Sequence, residues 1–122
     1  MRRNQDRERG SATAELAVVL PAVVLLAVLG VWAVAAVAAH LRCVDAAGAG
    51  ARALARGESS AEVRRVVAQV APRGATVRLG RDGDLVVVDV RATVRLPGPW
   101  SRAGPGLAVG DRAIGVAEDA GP

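Results

Sequence analysis

Few residues in this chain have the type and spacing for chemistry. His40 and Cys43 are its only histidine and only cysteine, and an i, i+3 spacing places them on one face of a helix. In a Cys/His pair the imidazole takes the thiol proton and leaves a nucleophile. Catalysis also needs an orienting group that converges on the pair, and Asp45 is the one carboxylate nearby. Asp82 and Asp84 flank Gly83, but the other ligands of a calcium loop are missing, so this stretch reads as a turn. No glycine motif of the phosphate-cradling kind follows a strand, and no cluster has metal-ligand spacing. The sequence therefore predicts no enzyme, no metal and no cofactor. His40 reads as an anchor at a membrane interface. Cys43 reads as a small packing residue or, as an odd cysteine, as an interchain contact.

The remaining chemical feature is a carboxylate. Glu15 stands immediately before Leu16 to Ala39, a run of 24 residues without a charged side chain. As a helix rising about 1.5 Å per residue, the run is roughly 36 Å long, against a hydrocarbon core of about 30 Å. A retained membrane-spanning helix is the first reading. A cleaved secretory signal is the alternative, because Ala36-Val37-Ala38 resembles a signal peptidase site, with release after Ala38. Such signals have an apolar region of about 7 to 15 residues, much shorter than this one.

The flanks orient the span. Arg2, Arg3, Arg7 and Arg9 precede it, whereas Arg42, Arg52 and Arg56 follow at wider spacing. The excess of positive charge places the N-terminus in the cytoplasm and the C-terminal part outside. Trp32 falls in the outer half of the span. His40 and Arg42 lie at its outer end, within reach of head groups. The net charge of +4 does not make the chain a nucleic-acid binder. All 16 of its basic residues are Arg, most alternate with Asp and Glu, and Trp32 and Trp100 are the only aromatic residues where single-strand readers interleave several. The lack of Lys, Phe and Tyr reads as the bias of a genome rich in G and C.

Glu15 has an ordinary explanation as a residue favoured at the positive end of a helix dipole, with Ser11 and Thr13 as helix-starting residues before it. A second explanation comes from the surrounding pattern. "RGSATAELAVVLP", in which Gly10 follows a basic leader and Glu15 is the fifth residue after it, resembles the processing region of the TadE-like minor pilins. These are pseudopilins of the tight-adherence, Flp-type branch of type IV pili. The resemblance implies that a prepilin peptidase cuts after Gly10 on the cytoplasmic side and leaves the apolar helix in place. Residues 1–10 are then the leader, residues 11–41 the transmembrane helix and residues 42–57 its continuation. It also implies that the new ammonium of Ser11 pairs with Glu15 of a neighbouring subunit. A carboxylate entering an apolar environment is costly unless paired. The implied partners are the membrane, the prepilin peptidase, the pilus assembly platform and other pilin subunits. Leu16 stands where major pilins of this system usually carry an aromatic residue, which points to a minor component. Pro21 is a shared feature that removes one helical hydrogen bond and kinks or loosens the helix. "LRCVDAAGAGARALARGE", Leu41 to Glu58, is similar to actinobacterial TadE-like chains.

The part after the span, about 80 residues, is marginal as an independent core. Gly48 and Gly50 mark close packing or a flexible joint in a helix that runs to Arg56 and ends at Gly57. A second helix is capped by Ser59 or Ser60, carries Val63, Val66, Val67 and Val70 on one face, and ends at Ala71-Pro72. Thr76 to Leu79 and Leu85 to Leu96 form a hairpin around the "RDGD" turn, with Val86, Val88 and Val90 on one face. Pro97 to Gly106 is a loop in which Trp100 plugs the core or meets a partner, and Arg112 to Ala117 is a last strand. The predicted architecture is α+β and pilin-like: a long N-terminal helix, a short helix and a small antiparallel sheet of about three strands in a domain over residues 58–122. The long strand Val86 to Val94, with an open edge, is the expected meeting place for subunits.

Overall fold

A computed structural model describes residues 2–99 and 101–118. Its elements are α1 (Arg2–Ala55), α2 (Ser60–Val70), β1 (Thr76–Asp82), β2 (Leu85–Arg95) and β3 (Gly106–Val116). The arrangement is α+β, with one antiparallel sheet in the order β1-β2-β3.

The first helix runs unbroken through Pro21. Its 54 residues extend roughly 81 Å at about 1.5 Å each. Residues 10/11 and 41/42 therefore fall inside a single element. The helix ends at Ala55, one residue earlier than expected, and Gly57 takes a φ of 84° just beyond it. There the amide of Glu58 donates to the Ala53 carbonyl and that of Gly57 to the Leu54 carbonyl, a closure that requires a left-handed residue at this position. Of the two cap candidates Ser59 is the one used, its hydroxyl accepting from the Glu62 amide. Val63 and Val67 of α2 are buried.

The core is built on small residues of α1. Trp32, Ala36, Ala39, Cys43, Ala46, Ala47, Gly50 and Ala53 are buried or half-buried at intervals of about one turn, with Ala46 and Ala47 adjacent, and on this stripe lie Val86, Val88 and Val90 of β2. Gly50 is a site of close packing: a Cβ there would lie 2.6 Å from Val67 Cγ2 and 3.1 Å from Val88 Cγ1. At Gly48 it would meet only the Arg52 guanidinium, at 3.4 Å.

Four expectations about the strands are corrected. β1 continues to Asp82, because Gly80 and Arg81 pair with Val87 and Val86. β2 stops at Arg95, one residue short of the expected end. β3 begins at Gly106, within the stretch expected to be a loop, and ends at Val116. β2 is then the central strand rather than an edge, since it pairs with β3 from Leu85↔Val116 to Arg95↔Gly106. The open edges belong to β1 and β3.

Candidate functional site

The segment expected to be processed, Gly10 to Glu15, lies on the uncovered part of α1. Ser11, Ala14, Glu15, Val18 and Val19 line one shallow groove, as residues separated by three and four positions must on a helix. All five are exposed. Thr13 donates its hydroxyl hydrogen to the Arg9 carbonyl at 2.9 Å. Glu15 makes no hydrogen bond or ion pair among the described residues. A Cβ at Gly10 would meet nothing within 4 Å, so the fold itself has no need of glycine there.

Beyond Glu15 the helix is long and apolar enough to cross a membrane, and no part of that apolar window is covered by the rest of the chain. Leu16, Val18, Val19, Leu20, Val23, Val24, Leu25 and Leu26 are all more than half exposed. So large an uncovered apolar surface calls for an apolar surrounding or a partner. Coverage begins at Trp32, whose indole Nε1 donates to the Val94 carbonyl at 3.3 Å. The sheet thus overlaps the C-terminal end of the apolar run instead of starting beyond it.

The remaining candidates separate. Cys43 is fully buried while His40 is exposed, so their side chains do not meet as a nucleophile and base. Burial raises the Cys43 thiol above its ordinary value, and Asp111 on the inner side of β3 adds to the rise. A thiol held neutral is a poor nucleophile, and a disulfide to another chain would require the sheet to lift. Trp100 lies outside the described residues. Among the described residues no group of three or more His, Cys, Asp or Glu is placed to hold a metal ion. Asp82 ends β1, and the Asp84 carbonyl accepts from the Ala117 amide at 2.6 Å, which gives both residues a place in the turn.

One charged cluster was missed from the sequence. Asp89, on the outer face of β2, is only 7% exposed. Arg91 Nε donates to one carboxylate oxygen and Arg112 Nη2 to the other, each at 3.2 Å. Burial pushes the Asp89 carboxyl upward, but the hydrogen bonds and charges of Arg112 and Arg91 outweigh it and hold the group below its ordinary value. The alternation of Val86, Val88 and Val90 already places Asp89 and Arg91 outward. Arg112 becomes visible only through the β2–β3 register.

No family model matches the chain, and no solved structure matches it. Among curated proteins, the one named Apoptosis inhibitor Rv3655c, from Mycobacterium tuberculosis, is 41% identical over 106 residues, a match covering 85% of this chain and 77% of the relative. Identity at that level over most of both sequences is homology along the apolar helix and the sheet domain alike, and the chain belongs to the family of that mycobacterial protein.

Proposed function

We propose that the chain is a membrane-anchored minor pilin of the tight-adherence type, processed after Gly10, with no catalytic role of its own. The observation that carries this reading is the uncovered helix from Ser11 to Val31: a bare apolar rod with a single carboxylate, Glu15, one turn from the residue that cleavage would make the new N-terminus. The glycine at position 10, for which the fold gives no reason, fits a requirement imposed by a peptidase. In this reading the α+β domain is pilin-like and lies outside the cell membrane. The prepilin peptidase and the assembly platform act on residues 1–31, and other pilin subunits supply the amine for Glu15. Pairing an otherwise costly buried carboxylate makes the register between subunits specific, and the chain aids initiation or stabilisation of the filament and, through it, adhesion.

A second reading follows the relative. A homologue named as an apoptosis inhibitor is compatible with an exported chain that restrains cell death, released by a cut after Ala38. That cut would remove Trp32 and Ala36 from under the sheet but leave the core from Cys43 to Ala53 in place. A third outcome is a permanent single-pass anchor.

The experiment is the N-terminal sequence, by mass spectrometry, of the protein recovered from cells that produce it. A start at Ser11 establishes prepilin processing. A start at Ala39 replaces it with a released domain, and an intact Met1 or Arg2 leaves an anchor in which Glu15 is a helix-start residue.

A further inference from the structure

We propose that the end of the sheet nearest Trp32 is a binding surface for the phosphates of anionic lipid head groups on the outer side of the membrane. The proposal rests on α1 crossing the membrane, and not on assembly into a pilus.

The level of this end follows from one contact and one length. A hydrocarbon core of about 30 Å takes about 20 helical residues, so a span entered at Leu16 leaves at about residue 35. Trp32 is then roughly 5 Å inside the outer boundary at 1.5 Å per residue. Its indole hydrogen bond to the Val94 carbonyl holds the end of β2 at that depth. The registers place Thr76 of β1 beside Arg91, and Gly106 of β3 beside Arg95. The Val94 end of the sheet therefore lies just inside the hydrocarbon boundary. Arg91 and Thr76, three strand residues or about 10 Å further out, stand in the head-group layer, which the long Arg95 side chain reaches from below.

The chemistry of this end suits that place. Arg73, Gly74, Thr76, Arg91, Thr93 and Arg95 line one open groove. Arg95 also donates to the carbonyls of Ser101 and Arg102, which brings the exposed Arg102 segment to the same end. No Asp or Glu occurs from Pro72 to Thr76 or from Arg91 to Gly110. Arg91 is paired through its Nε with Asp89, which leaves Arg73 and Arg95 as the groove's arginines without a carboxylate partner among the described residues. At the opposite end, where the Glu118 amide meets the Ala55 carbonyl and the Ala117 amide meets that of Asp84, lie Glu58, Asp82, Asp84 and Glu118. Arg56, paired with Glu58, and Arg81 also lie at that far end and offset part of its acidity, so the domain is polarised chiefly by its surplus of arginine toward the membrane. A guanidinium offers a planar fork of donors that matches a phosphate, and arginines near an anionic surface each add to the attraction.

The test uses the full chain in nanodiscs of phosphatidylcholine alone and of phosphatidylcholine mixed with phosphatidylglycerol, with hydrogen exchange read segment by segment. In the anionic discs the amides of residues 73–76 and 95–106 are expected to exchange at least about fivefold more slowly, the gain for one arginine engaged at a charged surface. Raising the salt should erase the difference, because the attraction is screened. The double variant Arg73→Gln, Arg95→Gln should lose it, with amides 86–90 reporting that the sheet is intact. If the double variant fails to fold, Arg73→Gln alone gives the reading, since Arg73 makes no hydrogen bond among the described residues. Equal exchange in both discs, or an intact variant that keeps the full difference, overturns the proposal. So does equal protection by inorganic phosphate in neutral discs, which would make the groove a site for free anions. Rapid exchange at residues 18–30 in either disc would instead overturn the membrane span, a failure distinguishable from that of the lipid site.

Discussion

Trp32 and Val94 are 62 positions apart in sequence and joined by a hydrogen bond of 3.3 Å from indole to carbonyl. That bond ties the end of the central strand to the apolar helix. β2 and the helix it covers are matched in length: 11 strand residues at about 3.3 Å and the 24 helical residues from Trp32 to Ala55 at about 1.5 Å both give roughly 36 Å. β2 runs from the Ala55 end down to the Trp32 end, and the hydrogen bond closes the lower end of that contact.

Removing the donor should loosen that end first. Trp32→Phe keeps an aromatic ring and deletes the N–H, at an expected cost of about 1 kcal/mol. Hydrogen exchange should rise at Val94, Arg95 and Leu107 and stay unchanged at Val86 to Val88, which sit at the other end of the sheet. A uniform rise along β2 would mean that the bond supports the whole core rather than its lower end.

Gly50 and Gly48 should respond to alanine in opposite directions. At Gly50 the added methyl would sit 2.6 Å from Val67 and 3.1 Å from Val88, both fully buried. Overpacking of this kind costs about 1–3 kcal/mol, more than the roughly 1 kcal/mol gained by replacing glycine in a helix. Gly50→Ala should therefore lower the melting temperature by a few degrees, on a scale of about 4–8 °C per kcal/mol for a domain this small. Gly48→Ala meets only a flexible arginine tip and should raise it. Thermal unfolding of the two variants side by side decides the matter.

The same local chemistry explains what was legible in the sequence. Val86, Val88 and Val90 alternate because one face of β2 is packed on α1, and that face was identified correctly. Ser59 and Ala71-Pro72 bound α2 by capping and by proline sterics, both short-range effects. The sequence alone starts β3 six residues late, at Arg112 instead of Gly106, because Pro105, Gly106 and Gly110 carry the composition of a loop. Its pairing to β2 is decided by close backbone approach: a Cβ on Gly110 would lie 2.7 Å from the Val90 carbonyl oxygen. With β3 shortened, β2 took on a false open edge, and the Arg112–Asp89 pair had no register in which to form. The depth of the sheet along α1 was not legible either, because it depends on a contact across 62 residues.

Asp89 makes the fold sensitive to acid. Its carboxyl is held below the ordinary value in the folded protein, so its contribution is present above the unfolded value, about 3.9, and disappears as pH falls through the lower folded value. Stability should be level from neutral pH down to about 5 and decline below about 4. Asp89→Asn should lower stability at neutral pH by about 1 kcal/mol, a modest figure because the guanidinium partners are exposed and screened, and should flatten the acid decline. Unfolding midpoints measured across pH for both proteins check this, and an unchanged acid limb in the variant would transfer the effect to other carboxylates.

If the chain is the minor pilin proposed, Glu15 variants should separate insertion from assembly. Glu15 is exposed at the start of an uncovered helix, where a carboxylate costs little while it stays near the membrane surface. Carried into a packed bundle of apolar helices, it would need a partner, and a buried pair that loses one member is destabilised by about 3–5 kcal/mol. Glu15→Ala removes both the charge and its need for a partner, whereas Glu15→Gln keeps a polar group without the charge that an ammonium recognises. Both variants should reach the membrane at the wild-type level and be cut after Gly10, and both should fail to support piliation counted by electron microscopy. Gly10→Val, placed where the fold has open space, should instead leave an uncut and correctly folded chain. Normal piliation with Glu15→Gln would show that charge pairing to a neighbouring amine is not what positions the subunit.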